Sequence, residues 1–145
     1  MTWWIVILLT MAALSPLAWL RPSRRQGRQI TVRLEARRRG LGMQLVSQEW
    51  PHWLALQPPS PCAQYHRPRR AGKVDSWSYW QLAPGQWVNQ WREPCTDTRL
   101  NEHFETLPAD VFKAEADRQM VALYWGEGSE EGALQRIAAA LQGLA

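Results

Sequence analysis

Cysteine, lysine and phenylalanine are scarce in this chain of 145 residues, and each of them occurs only twice. The two cysteines, Cys62 and Cys95, are too few for a disulfide-dense secreted scaffold, and they form no C-x-x-C pair. A mean hydropathy of −0.42 excludes a polytopic membrane protein. No internal repeat is present. The length of the chain allows one domain with an appendage.

Tryptophan and arginine are abundant instead: the chain has ten Trp, and 15 of its 17 basic residues are Arg. Residues 21–73 contain twelve basic and two acidic residues, a net charge of +10, whereas residues 74–145 contain five basic and eleven acidic residues, a net charge of −6. The basic half predicts contact with anionic lipid headgroups or an acidic partner, and a solvated helix face is the alternative. Nucleic-acid binding is disfavoured, because no nucleic-acid-binding motif accompanies the Trp residues.

The eighteen residues from Trp3 to Leu20 carry no charge. As a helix with a rise of ~1.5 Å per residue they would extend roughly 27 Å, close to the ~30 Å hydrocarbon core of a bilayer. Trp3 and Trp4 lie at one end and Trp19 at the other, as in an aromatic belt. The sequence therefore predicts a transmembrane anchor over residues 1–22 that contacts the lipid bilayer. A cleaved signal peptide, which would begin with basic residues, and a buried core helix are the alternatives.

Basic residues follow this apolar segment, and none precedes it. The positive-inside rule then places the remainder of the chain in the cytoplasm, with the amino terminus on the other side of the membrane. In the reverse topology, Cys62 and Cys95 could form a disulfide. The arginines expected to contact the membrane or a partner are Arg21, Arg24, Arg25, Arg28, Arg37, Arg38 and Arg39.

The exit from the apolar segment reads Leu20-Arg21-Pro22-Ser23-Arg24-Arg25. With the segment itself, this resembles the YajC accessory subunit of the bacterial protein translocase over about 25 residues. Members of that family have a single span, an L-R-P-x-x-basic exit and a small cytoplasmic domain. The overall plan is more similar to short, uncharacterised single-span inner-membrane proteins of gammaproteobacteria. The resemblance implies an inner-membrane location and no particular activity.

A basic juxtamembrane helix is predicted over residues 23–40, and residues 41–145 are predicted to form an α+β domain with a small, mainly antiparallel sheet. A closing helix–strand–helix unit is expected at its end, with a helix over 108–116 and a buried strand over 119–125. The final helix is expected to begin at Ser129. Further strands are predicted over 43–47, 50–56 and 62–67, and residues 92–107 are expected to be irregular.

A Trp-rich hairpin is predicted around the Pro84-Gly85 turn. If Leu82 faces Trp87, one face carries Trp80, Leu82, Trp87 and Trp91, and the other carries Trp77, Tyr79 and Val88. Because both faces are aromatic, we expect the second to be covered by the domain itself or by a partner. The aromatic residues expected at an interface are Trp53, Trp77 and Tyr79.

No residue pattern points to catalysis, a cofactor or a metal. The spacing of the cysteines and histidines matches no zinc pattern, and Gly126-Glu127-Gly128-Ser129 lacks the lysine of a phosphate-binding loop. The sequence therefore predicts a membrane-anchored binding protein, an accessory, assembly or scaffold factor of an inner-membrane complex with a membrane-protein partner. The alternatives are a small-molecule-binding or enzymatic domain tethered to the membrane, with the aromatic hairpin as a pocket wall, and a membrane-tethered nucleic-acid binder.

Overall fold

The computed structural model describes residues 2–19, 24–54, 57–128 and 132–145, without the side chains of residues 15–19, 24–26 and 28. The chain divides into two compact units, residues 1–31 and residues 32–145.

The first unit contains helix α1, Trp3–Trp19, and the start of helix α2, Arg24–Arg38. Helix α1 has 17 residues. Its side chains from Trp3 to Leu14 are exposed. Among the described residues, no helix combines the length and the apolar character needed to cross a membrane. The predicted single-pass transmembrane anchor is therefore wrong, and so is the membrane classification that was based on it.

The second unit is an α+β domain with one six-stranded sheet in the order β1-β2-β6-β5-β3-β4, and all its strand pairs are antiparallel. The strands are β1 Gly42–Val46, β2 Cys62–Pro68, β3 Trp77–Ala83, β4 Gln86–Val88, β5 Val111–Ala116 and β6 Met120–Trp125. The helices are the end of α2, α3 Thr98–Phe104 and α4 Ala133–Leu144.

Three predicted elements are wrong. The segment predicted as a helix over 108–116 forms strand β5, so the closing unit is strand–strand–helix. The segment predicted as irregular contains α3, which begins after Asp97 because the Asp97 carboxylate accepts the N–H groups of Arg99 and Leu100. No strand forms over residues 50–54, the described part of the predicted strand 50–56.

One face of the sheet, here called the helix face, packs against α3 and α4. Alternate residues of β6 point to this face, among them Val121, Leu123 and Trp125, all of them buried. Helix α4 presents apolar side chains at helical spacing, including Ile137 and Leu141, which are completely buried. This layer is the hydrophobic core of the second unit.

The opposite face, here called the network face, carries polar residues and is partly covered by residues 47–54. Gln48 of this segment donates a hydrogen bond to the Tyr124 hydroxyl at 2.6 Å. The Trp50 ring makes edge-to-face contacts with Phe112 and Tyr124. Both hydrogen bonds and aromatic contacts therefore hold the segment 47–54 against the sheet. The polar groups of the network face beneath it, which would otherwise face water, are half-buried as a result.

The register of the hairpin differs from the prediction by one residue. Val88 lies opposite Trp80 and Trp87 lies opposite Gln81, and the register shifts between Gln81 and Ala83. Trp87 therefore shares the helix face with Trp77 and Tyr79, whereas Val88 shares the network face with Trp80. One extra residue of β3 lies at the shift. Relative to β4, each β3 side chain before the shift therefore points to the face opposite to the one predicted.

Candidate functional site

A cleft of about 580 Å³ lies at one edge of the sheet, where β3 and β4 diverge. The pairing of β3 with β4 reaches from Ala83 back to Trp80 and no further, although β5 pairs with β3 as far as Trp77. Five consecutive residues, Ser76 to Trp80, line this β3–β4 cleft on one side, and residues 89–91 line it on the other. Side chains of a strand alternate between its two faces, so five consecutive lining residues mean that the edge of β3 is exposed in the cleft.

Two indoles and two carboxylates give the β3–β4 cleft its chemical character. Trp80 is half-buried, and Trp91 is 70% exposed. Glu115 lies directly opposite Ser78 on the network face, and Asp117 follows at the end of β5. None of the described residues that line the cleft is basic. The cleft is therefore aromatic and acidic.

The Glu115 carboxylate is held in one orientation by two donors. The Tyr124 hydroxyl donates to Oε1 at 2.7 Å, and the Lys113 ammonium lies 3.0 Å from Oε2. Burial and the hydrogen bond to Glu115 raise the pKa of Tyr124, so its hydroxyl stays protonated and remains a donor. Glu115 thus reaches the cleft as a positioned carboxylate.

The positioning continues across the sheet through a chain of side-chain amides. Gln64 donates to the Tyr124 hydroxyl at 2.8 Å, and Gln44 donates to the Gln64 carbonyl at 2.6 Å. The Lys113 ammonium lies over the rings of Trp80 and Tyr124, at 5.0 and 5.4 Å from their centroids. Lys113 is only 9% exposed, and these cation–π contacts stabilise its charge along with Glu115.

The Asp117 end of the cleft is fixed by backbone hydrogen bonds. The N–H groups of Met120 and Gln119 donate to the Asp117 carboxylate and lower its pKa, so it is ionised at neutral pH. Arg69 donates to the Asp117 carbonyl at 2.9 Å and pairs with Asp75 at 2.7 Å. This end of the cleft is therefore both negatively charged and well ordered by its contacts.

The structure separates the three aromatic residues that the sequence predicts at an interface. Trp53 makes an edge-to-face contact with Trp80, at 6.2 Å between centroids. Trp77 and Tyr79 pack instead against Phe104 on the helix face, each at 5.7 Å. Both residues also line the β3–β4 cleft, and both are half-buried.

The predicted contact residues near the amino terminus are only partly described. Trp3 and Trp4 are exposed, with ring centroids 5.5 Å apart. Arg37, Arg38 and Arg39 are exposed at the end of α2, and Arg39 pairs with Glu35 at 3.3 Å. Arg21 lies outside the described residues, and the side chains of Trp19, Arg24, Arg25 and Arg28 lie outside the described side chains.

Sequence reasoning did not find Glu115, Asp117 or Trp91 as site residues. A usable signal was present, since polar and apolar residues alternate over Lys113-Ala114-Glu115-Ala116, which is typical of a half-buried strand. That pattern would have placed Lys113 and Glu115 on one face. Nothing in the local sequence predicts that they lie near Trp91, which follows β4 in a different part of the chain.

The cysteines and histidines do not converge on a site. Cys62 is completely buried, and this burial, helped by the charge of Glu127, raises the pKa of its thiol to about 11. The His103 ring packs against Gly143. Within the described parts of the chain, no group of three or more His, Cys, Asp or Glu residues could hold a metal ion.

The chain matches no protein-family model, no curated protein and no solved structure at a significant level. The resemblance of its first 25 residues to the translocase subunit therefore stays a prediction, and function has to be argued from the geometry.

Proposed function

We propose that the protein acts by binding, and that the β3–β4 cleft takes up an extended, basic segment of a partner protein. The observation that carries this proposal is the composition of the cleft: an exposed indole, a half-buried indole and two carboxylates, of which Asp117 is ionised and Glu115 is paired with Lys113. Lysine and arginine side chains suit such a surface because they pair with carboxylates and lie over indole faces.

The free strand edge favours an extended peptide over a compact ligand. Residues 77–79 pair with β5 on one side, and no strand among the described residues pairs with them on the other. Backbone N–H and C=O groups at such an edge can hydrogen-bond to an added strand. Side chains of the added strand would then alternate, so that every second residue faces Trp80 and Glu115.

The charge of the cleft argues against nucleic acid at this site. Phosphate groups are repelled by carboxylates, and binding of nucleic acid depends on neutralising its phosphates with Lys and Arg. Tyr124 and Lys113 already engage both oxygens of Glu115, so the Asp117 carboxylate is the charge that a basic side chain of the partner would meet.

The proposal is tested by titrating the full-length protein with an extended peptide in which Lys alternates with Val. Binding is followed by NMR, and a peptide with Glu in place of Lys is the matched probe. We expect binding of the Lys peptide only, weaker at higher salt because exposed charges are screened. Equal binding of both peptides contradicts the proposal. Equally tight binding of free butylamine also contradicts it, because a small cation would then account for the site.

Two variants locate the binding. Trp91→Ala removes an exposed ring, and Asp117→Asn removes a charge but keeps the oxygen that accepts the N–H groups of the β5–β6 turn. We expect each to weaken binding by roughly ten-fold, corresponding to ~1.4 kcal/mol. Glu102→Gln, an exposed carboxylate on α3 outside the cleft, is the control and should leave affinity unchanged. If all three variants bind alike, the peptide binds elsewhere.

A further inference from the structure

Segment 47–54 covers part of the network face, and none of its residues belongs to a helix or a strand. Side chains attach it to the sheet. Gln48 donates to the Tyr124 hydroxyl at 2.6 Å, and the Trp50 ring lies edge-to-face against Tyr124 at 5.6 Å. The Trp53 ring makes the same kind of contact with Trp80. The segment is therefore held by a few side-chain contacts and not by strand pairing.

The network face beneath this segment is polar. Gln44 donates to Gln64, Gln64 donates to the Tyr124 hydroxyl, and Glu115 pairs with Lys113. Water can replace hydrogen bonds to such groups at little net cost, whereas exposing an apolar core is strongly unfavourable. Segment 47–54 can therefore leave the sheet at a much smaller cost than an element of the hydrophobic core.

The closed position of this segment also leaves one polar group without a partner. The Trp50 Nε1 atom is buried and has no hydrogen-bond acceptor among the described residues. A buried N–H without an acceptor is unfavourable, and opening of the segment would give this N–H access to water. The closed position is therefore less favourable than its contacts alone would make it.

The contacts of Gln48 lead directly to the β3–β4 cleft. Its amide nitrogen donates to the Tyr124 hydroxyl, and its amide oxygen accepts from the Lys113 ammonium at 3.4 Å. Tyr124 and Lys113 are the two groups that hold the Glu115 carboxylate, which lines the cleft. Opening of segment 47–54 therefore removes support from both groups that orient Glu115.

Trp53 provides a second connection to the same cleft. Its ring lies 6.2 Å from that of Trp80, the half-buried indole of the cleft lining. Lys113, which Gln48 contacts, lies over the other part of this connection, at 5.0 Å from the Trp80 ring centroid. The segment therefore supports an aromatic group of the cleft as well as a carboxylate.

We propose that segment 47–54 opens and closes, and that its closure and the binding of a basic segment in the β3–β4 cleft favour one another. This inference rests on the proposed function. The closed segment orients Trp80 and Glu115, and a bound partner holds the same two side chains and, through them, the segment. By thermodynamic linkage each event stabilises the other to the same extent. Gln48 and Trp53 are then positioning residues of the cleft.

The indole N–H of Trp50 measures the opening. Because it is buried in the closed position, its hydrogen exchanges with water when the segment opens, and NMR of the full-length protein gives the rate. Trp50→Phe identifies the signal by its loss. The Trp125 indole, which is 1% exposed and donates to Asp110 at 3.0 Å, reports opening of the whole domain. We expect faster exchange at Trp50 than at Trp125. Equal rates overturn the proposal, because the segment then opens only with the domain.

Variants without any ligand test the connection to the cleft. Gln48→Ala should speed Trp50 exchange by roughly five-fold, since it removes the hydrogen bonds to Tyr124 and Lys113. Glu115→Gln, a change within the cleft, should speed it by roughly three-fold or more. Glu49→Gln, at an exposed position of the same segment, is the matched control and should have no effect. In all three variants Trp125 exchange should stay as it is. If Glu115→Gln leaves Trp50 exchange unchanged, the segment and the cleft are not coupled.

The peptide in which Lys alternates with Val tests the reciprocal effect. At saturation it should slow Trp50 exchange by about five-fold or more, the lower end of typical coupling between two sites. A peptide that shifts the Trp91 signal without slowing Trp50 exchange contradicts this inference and leaves the proposed function intact. A peptide that does not bind contradicts the proposed function, and the comparison of Glu115→Gln with Glu49→Gln then still decides whether the segment and the cleft are coupled.

Discussion

An ion pair fixes the end of α2 to the sheet. Replacing one partner of this pair should destabilise the fold much more than replacing the other. Arg33 donates to both oxygens of Glu127, at 2.9 and 2.7 Å, and the Tyr65 hydroxyl donates to the same carboxylate at 2.7 Å. The Glu127 side chain is 4% exposed, whereas that of Arg33 is 32% exposed. Removing Arg33 therefore leaves a buried charge, whereas removing Glu127 leaves a charge that water can reach.

We expect Arg33→Met to lower the free energy of unfolding by about 3–5 kcal/mol, because it leaves a buried carboxylate without its counter-charge. Glu127→Gln should cost only about 1–2 kcal/mol. In that variant the amide oxygen can still accept from Tyr65, and the partly exposed guanidinium can reach water. The double variant should be more stable than Arg33→Met alone, since it buries no charge.

Urea unfolding of the full-length protein at about pH 7 measures these differences. Arg38→Met, a change of an exposed arginine on the same helix, is the control and should stay within ~0.5 kcal/mol. The reasoning is refuted if Glu127→Gln is the more damaging change, or if the double variant is the least stable.

Two further predictions concern the core and alkaline pH. Ile137→Ala should destabilise the protein by about 3 kcal/mol, because this residue is completely buried, whereas Gln135→Ala on the exposed side of α4 should change little in the same urea titration. Stability should also fall as the pH rises above about 9. Burial raises the pKa of the Cys62 thiol to about 11 and the pKa of Tyr65 above its usual range, so the unfolded chain releases these protons at a lower pH than the folded chain does. Urea midpoints at increasing pH measure this decline, which should be shallower in Cys62→Ala; a flat profile would contradict it.

Elements with a strong apolar pattern could be predicted from the sequence. The apolar segment Met120–Trp125 forms the buried strand β6 inside the sheet, and the helical spacing of Leu134, Ile137 and Leu141 produces the buried face of α4. Both predictions are confirmed, because burial of these side chains dominates over every local preference.

Strand β5 shows where local preference misleads. Pro108 suits the first turn of a helix and Asp110 suits its amino end, so the sequence predicts a helix here, and the two alanines, the lysine and the glutamate within residues 111–116 also favour helices. In the fold this segment lies between β6 and β3 and pairs with both of them. Two ladders of backbone hydrogen bonds outweigh a propensity that amounts to a fraction of ~1 kcal/mol per residue.

The sequence by itself determined the apolar helix at the amino terminus, the buried strand and final helix, and the presence of a Trp-rich hairpin, because each depends on the order of apolar and turn-forming residues in one short segment. The tertiary structure decided which face each hairpin indole occupies, since one additional residue at the register shift reverses the alternation. It also decided the β3–β4 cleft and the packing of Trp87 on Phe104. Trp91 and Glu115 come from a turn and a strand, and Trp87 and Phe104 from a strand and a helix, and only the pairing and packing of those elements bring them to one place.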